Sequence, residues 1–342
     1  MTTANLHVTL IQDESWRQRY DNSFGGSATL YEQIRAYEIR SPKRRVLGLY
    51  VGFGEPCPLR LRLNTYRGCS FACRHCYVWD RGTGSIVRPD RRILTQLDAD
   101  IRDYPPEIQK LPVMLSCSTD PMNMLEPIHK TSLYAMRSLR DAGFPILIMT
   151  QNPAQLLDAN YMEVLKSATV LIEITVQSMQ AGLEGNGVFR SQAPPALQRL
   201  SAMAALSAEG LDVRLRLDPI IPRFAADGPG QSAEDIDTVV AAAAGAGAKL
   251  VISKCMRLTS DVPKTMWAQM DEFYAANAVP TRGTELDLRA DIQEKLILPV
   301  RESCARHGIA FCTCTCHVST TGSLHCSTGG PWGNRGGNPQ WL

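Results

Sequence analysis

The sequence predicts an α/β fold: a partial TIM barrel of about six strand-helix units, with an N-terminal lead-in and a Cys/Gly-rich C-terminal extension. Three observations predict it. Short apolar, β-branched runs alternate with longer stretches of helical periodicity through the middle of the chain. Those runs are nearly continuous in apolar residues, as strands are when helices cover both faces of a parallel sheet. Polar or reactive residues follow each run, at the carboxyl strand ends where such folds place their chemistry.

Taken in order, residues 1–56 are mixed in composition, with short helical patterns at 12–19 and 28–38, and are expected to form a cap or lead-in. The barrel is expected over 57–260, with strands at 59–66, 111–117, 144–150, 169–176, 213–221 and 250–255. Helices are expected between them at 93–104, 128–142, 153–167, 194–209 and 232–244. Gly143 and Gly210 close two of these helices, because glycine takes the left-handed conformation that ends a helix at no steric cost. Beyond the barrel, 261–342 should hold helices at 264–275 and 287–307. Then comes "FCTCTCHVSTTGSLHCSTGGPWGNRGGNPQWL", too poor in apolar residues to build a second core. The strand ends carry, in order, "NTYRGCS", "SCSTD", "TQN", "TVQS", "RLDPIIP" and "SKCMR".

A chain of 342 residues, 44% hydrophobic, can bury a sizeable core. Its net charge of +2, from 36 basic and 34 acidic side chains, gives no overall field toward nucleic acid, and no Arg/Lys strip interleaved with aromatics stands out. The start lacks a basic segment followed by an apolar one, and no run approaches the roughly 20 apolar residues of a membrane span. A cytoplasmic protein with no membrane partner is expected. Eleven cysteines in such a chain point to metal binding or thiol chemistry before disulfides.

Three of them lie in "NTYRGCSFACRHCYVWD" as Cys69, Cys73 and Cys76, spaced Cys-x3-Cys-x2-Cys. Zinc usually takes four ligands, often as paired hooks, and no second hook lies nearby. Three thiolates can instead hold three irons of a 4Fe-4S cluster and leave the fourth open. With this spacing after the first strand, the chain resembles the radical SAM enzymes. The resemblance implies one 4Fe-4S cluster on Cys69, Cys73 and Cys76, and S-adenosylmethionine chelated at the open iron. Reductive cleavage would yield a 5'-deoxyadenosyl radical that takes hydrogen from a substrate, with electrons from a donor such as flavodoxin or ferredoxin. Tyr77 matches the position whose ring lies near the adenine.

"STDPMNMLEP", "LIMTQNPAQLL", "IEITVQS" and "RLRLDPIIP", with the cysteine motif, look like the spore photoproduct lyase-related branch across about residues 59–225. In that branch a cysteine at the position of Cys117 returns hydrogen to the product radical. His75 stands where the lyases carry a tyrosine, a departure from their radical relay. Ser116, Ser118, Thr150, Gln151, Glu173, Gln177 and Arg216 are candidate cofactor contacts in or at the ends of the strands. Glu173, in "VLIEITV", needs a partner because an unpaired charge in an apolar strand is costly. Arg214 and Arg216 share one strand face. Asp120 reads as a turn cap before Pro121.

In the tail, Cys304, Cys312, Cys314, Cys316, His317 and Cys326 are candidates for a second metal site, an auxiliary cluster or zinc, against a redox disulfide or incidental thiols. The function expected is hydrogen abstraction from a small polar substrate, a nucleoside or nucleotide in natural-product biosynthesis. One alternative is a DNA lesion repair lyase of the spore photoproduct type. Another is a non-catalytic, metal-dependent nucleic-acid-binding protein.

Overall fold

In the computed structural model, the residues described are 37, 45–50, 60–76, 78, 86–108, 110–185, 187–223, 230–258, 268–282 and 285–313. The strands are β1 (Gly48–Tyr50), β2 (Arg60–Leu63), β3 (Tyr66–Arg67), β4 (Arg88–Pro89), β5 (Val113–Leu115) and β6 (Ile146–Thr150). They continue as β7 (Val170–Thr175), β8 (Val213–Ile220), β9 (Leu250–Cys255), β10 (Ala278–Arg282), β11 (Glu285–Leu288) and β12 (Ala310–Thr313). The helices are α1 (Ile93–Arg102), α2 (Glu126–His129), α3 (Thr131–Asp141), α4 (Ala159–Ser167), α5 (Ala181–Gly185), α6 (Ala196–Ala208), α7 (Ala233–Gly245), α8 (Ala268–Asn277) and α9 (Ala290–Arg306). A 3-10 turn over Pro153–Leu157 precedes α4.

Eight strands form one sheet in the order β1-β2-β5-β6-β7-β8-β9-β12. The β1 strand pairs antiparallel at one edge, and every other neighbour pair is parallel. Among the described residues no pairing joins β12 back to β1, so the sheet is open, as a partial barrel is. The six expected strands correspond to β2 and β5 through β9, and the five helices between them to α1, α3, α4, α6 and α7.

Period-two alternation divides the sheet into two faces. Leu63, Leu115, Ile148 and Ile172 stand in register across four strands, face the helices and belong to the main core. The opposite face carries a separate small cluster of Met114, Leu147 and Leu171, with Cys117 and Met149 packed on it. That inner face is the floor of a cavity. The helices start where local chemistry starts them: Asp158 accepts from Asn160 N at the head of α4, and Ser232 with Asp235 forms a reciprocal capping box on α7.

The chain also departs from the expectation at both flanks. The β1 strand precedes the first predicted one, and β12 lies in the cysteine-rich stretch, where Ala310, Phe311, Cys312 and Thr313 pair with Leu250 through Ser253 of β9. This stretch, "AFCT", gives the sheet another parallel neighbour. The helical pattern at 12–19 lies outside the described residues, as does 28–38 apart from Tyr37, which is helical. The remainder of the tail, from 314 on, also lies outside them.

Candidate active site at the carboxyl ends of the sheet

A cavity of about 280 Å³ opens over the inner face, at the carboxyl ends of the parallel strands. Its walls bring together most of the predicted residues: Cys69, Cys73 and Cys76 from the loop after β3, Ser116 to Asp120 after β5, Thr150 at the end of β6 with Gln151 after it, Gln177 after β7, and Arg216 on β8. Tyr77 lies outside the described residues. Glu173 lies buried beside the cavity and reaches it through Arg216, whose Nη1 donates to Glu173 Oε2 at 2.6 Å while Nη2 donates to Asp218 Oδ2 at 2.6 Å. This supplies the partner that a carboxylate in an apolar strand requires.

Cys117 is held by Asn64. Its thiol donates to Asn64 Oδ1 at 3.5 Å, and the same oxygen accepts from Ser118 N at 3.4 Å. Burial pushes the Cys117 thiol up, so it keeps its hydrogen. Ser116 takes a left-handed backbone with φ 56°, unusual for serine. Its hydroxyl is within 3.1 Å of the Thr65 hydroxyl, which fixes the turn to the first strand.

Asp120 does more than cap a turn. Its Oδ1 accepts from Met122 N and from the Thr150 hydroxyl, and its Oδ2 from Gln151 N at 2.7 Å. One buried carboxyl therefore ties the ends of β5 and β6 together. Burial, opposed by these donors, pushes its pKa up to about 6.

The cysteine loop is strapped from outside by residues 187–192. Arg74 N donates to Arg190 O, and Gln192 N donates to Phe71 O. His75 is buried beneath it, with Nδ1 3.3 Å from Val188 O and Nε2 3.3 Å from Gln177 Nε2. Burial pushes the His75 pKa down to about 4. The ring is thus neutral, donating to Val188 and accepting from Gln177. Sequence reasoning missed Arg199, which is buried, pairs with Glu184 at 2.5 Å, donates to Thr175 O and reaches Gln177 Oε1 at 3.4 Å. It also missed the cations Arg60, Lys254 and Arg257 on the cavity wall. "SKCMR" at the end of β9 signalled the last two; nothing in "PLRLRL" signalled Arg60.

The metal expectation is corrected. Among the described residues, no group of three or more His, Cys, Asp or Glu side chains is arranged to hold a metal ion. Gln151 Nε2 donates to Cys73 Sγ at 3.0 Å, burial pushes the Cys69 and Cys73 thiols up to about 12, and it raises Cys76 as well. As placed, the three thiols line one wall with Cys73 engaged by Gln151, and among the described residues they are not gathered into the expected 4Fe-4S site. The second site fails for another reason. Cys304 packs in the main core and Cys312 in a separate cluster with Leu250 and Ile252, so no auxiliary cluster or zinc site is assembled among the described residues. Cys314, Cys316, His317 and Cys326 lie outside the described residues.

No family model matches the chain. It is 26% identical over 200 residues to uncharacterized proteins of Mycobacterium tuberculosis and Mycobacterium bovis, covering 56% of this chain and 57% of theirs. The matched stretch therefore spans little more than half the length of those relatives. Among solved structures it is similar to a spore photoproduct lyase variant with bound AdoMet and dinucleoside spore photoproduct, with TM-score 0.59 and 13% identity, over 84% of this chain and 85% of that one. Spore photoproduct lyase complexed with the dinucleoside alone gives TM-score 0.56 at 14% identity over the same shares. At such identity the likeness is one of fold. The chain shares the fold of these lyase structures, a mostly parallel sheet with interspersed helices.

No helix among the described residues is long and apolar enough to cross a membrane.

Proposed function

We propose that the chain is a lyase of the spore photoproduct type, which binds S-adenosylmethionine and a dinucleoside lesion of nucleic acid in the cavity over the sheet. The observation that carries this reading is Cys117: a protonated thiol on the cavity wall, held by Asn64, directly above the inner apolar cluster. A thiol there can pass its hydrogen atom to a carbon radical on a bound base, the S–H bond breaking as the C–H bond forms and a thiyl radical remaining. The electron that cleaves S-adenosylmethionine and starts the chain is supplied by an added low-potential reductant. The solved structures of like fold that contain a dinucleoside support a lesion as substrate over a small free metabolite. Arg216 and Asp218, paired side by side on the wall, offer one cation and one anion to the zwitterionic amino-acid end of the cofactor. Apolar Met114 and Met149 floor the space for a base.

The test is binding and turnover of dinucleoside spore photoproduct with S-adenosylmethionine under anaerobic, reducing conditions, with thymidine products separated by chromatography. Cys117→Ala should bind both molecules as the wild type does while losing clean product or diverting it to adducts. Unchanged product yield in that variant would remove Cys117 from the chemistry. Failure of the wild type to bind the dinucleoside would overturn the lyase reading.

A further inference from the structure

A second concavity lies on the outer side of the loop that carries Cys69. It encloses about 620 Å³ and is lined by Arg67, Arg88, Arg91, Arg92 and His129, with Asp90 between them. These arginines are scattered in the sequence, one before the cysteine motif and three in "RPDRR", and the short β3-β4 ribbon brings them together. We propose that this groove binds the sugar-phosphate backbone of nucleic acid whose lesion occupies the neighbouring cavity, an inference that rests on the lyase reading.

Four features carry it. Arg67 and Arg88 are direct cross-strand partners, an arrangement of like charges that costs stability unless an anion lies between or over them. Asp90, buried, pairs with Arg67 at 3.4 Å and Arg92 at 2.6 Å, so one carboxylate orients two guanidinium groups. Arg88 and Arg91 are exposed and have no ion-pair partner among the described residues, which leaves the groove with an excess of positive charge. The α1 helix begins at its lip with no acidic residue in the first turn, adding the partial positive charge of a helix N-terminus.

The groove is also rigidly joined to the cavity. Only Gly68 separates Arg67 from Cys69, and the Tyr66 hydroxyl donates to Glu126 Oε2 at the head of α2. Met124 N, just before α2, donates to the Ser70 hydroxyl in the cysteine loop. Arg67 of the groove and Cys69 of the cavity wall therefore stand two residues apart on one segment. Arginine suits this role because its planar fork takes two phosphate oxygens at once. The overall charge of +2 hides this segregation.

The experiment titrates fluorescein-labelled single-stranded DNA with the full chain across a sodium chloride series, reading anisotropy. The Arg88→Ala/Arg91→Ala protein, altered only at exposed positions, should bind about tenfold more weakly at low salt, with a log-log salt slope shallower by about 1.5. Arg88→Lys/Arg91→Lys should keep the slope. Binding of S-adenosylmethionine should stay unchanged in both, which shows that the fold and cavity are intact. Equal affinity and slope in the alanine protein would overturn the groove. Displacement of the DNA by polyglutamate of matched charge at equal concentration would also overturn it, assigning the face to an acidic protein. If the dinucleoside fails to bind the wild type while the alanine protein still loses DNA, the lyase reading falls and the groove stands.

Discussion

Asp120 shows how much a single residue's role depends on what folds over it. From "STDP" it is legible as a turn cap, and it does accept from Met122 N two residues on. Its longer reach, to Thr150 and Gln151 on the next strand, depends on the parallel pairing of β5 with β6, which no local pattern encodes. Burial outweighs three donors and holds its pKa at about 6, above the ordinary carboxyl value of about 3.9. A raised carboxyl pKa means the fold prefers the protonated form. Its contribution to stability is fully present below pH 4 and is lost as pH rises through about 6. The melting temperature of wild type minus that of Asp120→Asn should therefore fall between those pH values, with a carboxyl carbon resonance titrating near 6. A resonance titrating near 4 would show that the donors win over burial. Cys117 was legible only through the resemblance of "SCSTD" to the lyase motif, because its strand context alone reads equally well as a core cysteine.

At the scale of elements, strands and helices were legible because each obeys its own period over enough residues. The central parallel strands β5 and β6 are apolar on both faces, and several of the helices between strands carry a cap or a closing glycine. What escaped were short elements whose partners are remote. The β3-β4 ribbon has two residues a side and holds only through its surroundings, chiefly Glu126. That carboxylate, 0% exposed, accepts from the Tyr66 hydroxyl at 2.5 Å, the Tyr161 hydroxyl at 2.6 Å, and Ser132 N and Leu133 N at 2.9 Å each. It thereby joins β3, α3 and α4 at one point. Glu126→Ala strands four buried donors, each worth about 1–3 kcal/mol when left unpaired, so the loss should be at least about 3 kcal/mol. Glu126→Gln, with one acceptor oxygen in place of two, should lose about half as much. Urea midpoints at constant slope measure both; a loss below about 1 kcal/mol in the alanine variant would mean water replaces the carboxylate.

For the whole molecule, the place of the site was legible and its inner electrostatics were not. Six polar strand ends converge on one cavity because parallel strands all end on the same side of the sheet. The pairing of Arg216 with Glu173 and Asp218 depends instead on neighbours brought together by the β7-β8 register, where Thr175 lies opposite Arg216. The same ion network has two separable roles, neutralising a carboxylate inside the sheet and presenting a cation to the cavity. Arg216→Met leaves the Glu173 carboxylate, 2% exposed, without its cation, and should cost about 3–5 kcal/mol. Adding Glu173→Met replaces the buried pair with apolar volume and should restore stability to within about 1 kcal/mol of wild type. Equilibrium dialysis with labelled S-adenosylmethionine then separates the roles. If Arg216 serves the ligand, the double variant regains its urea midpoint yet still binds at least about tenfold more weakly, since a charged hydrogen bond to the ligand has been removed. If binding returns with stability, Arg216 serves only Glu173, and the cofactor's carboxylate must be met by another cation on the wall, Arg60, Lys254 or Arg257.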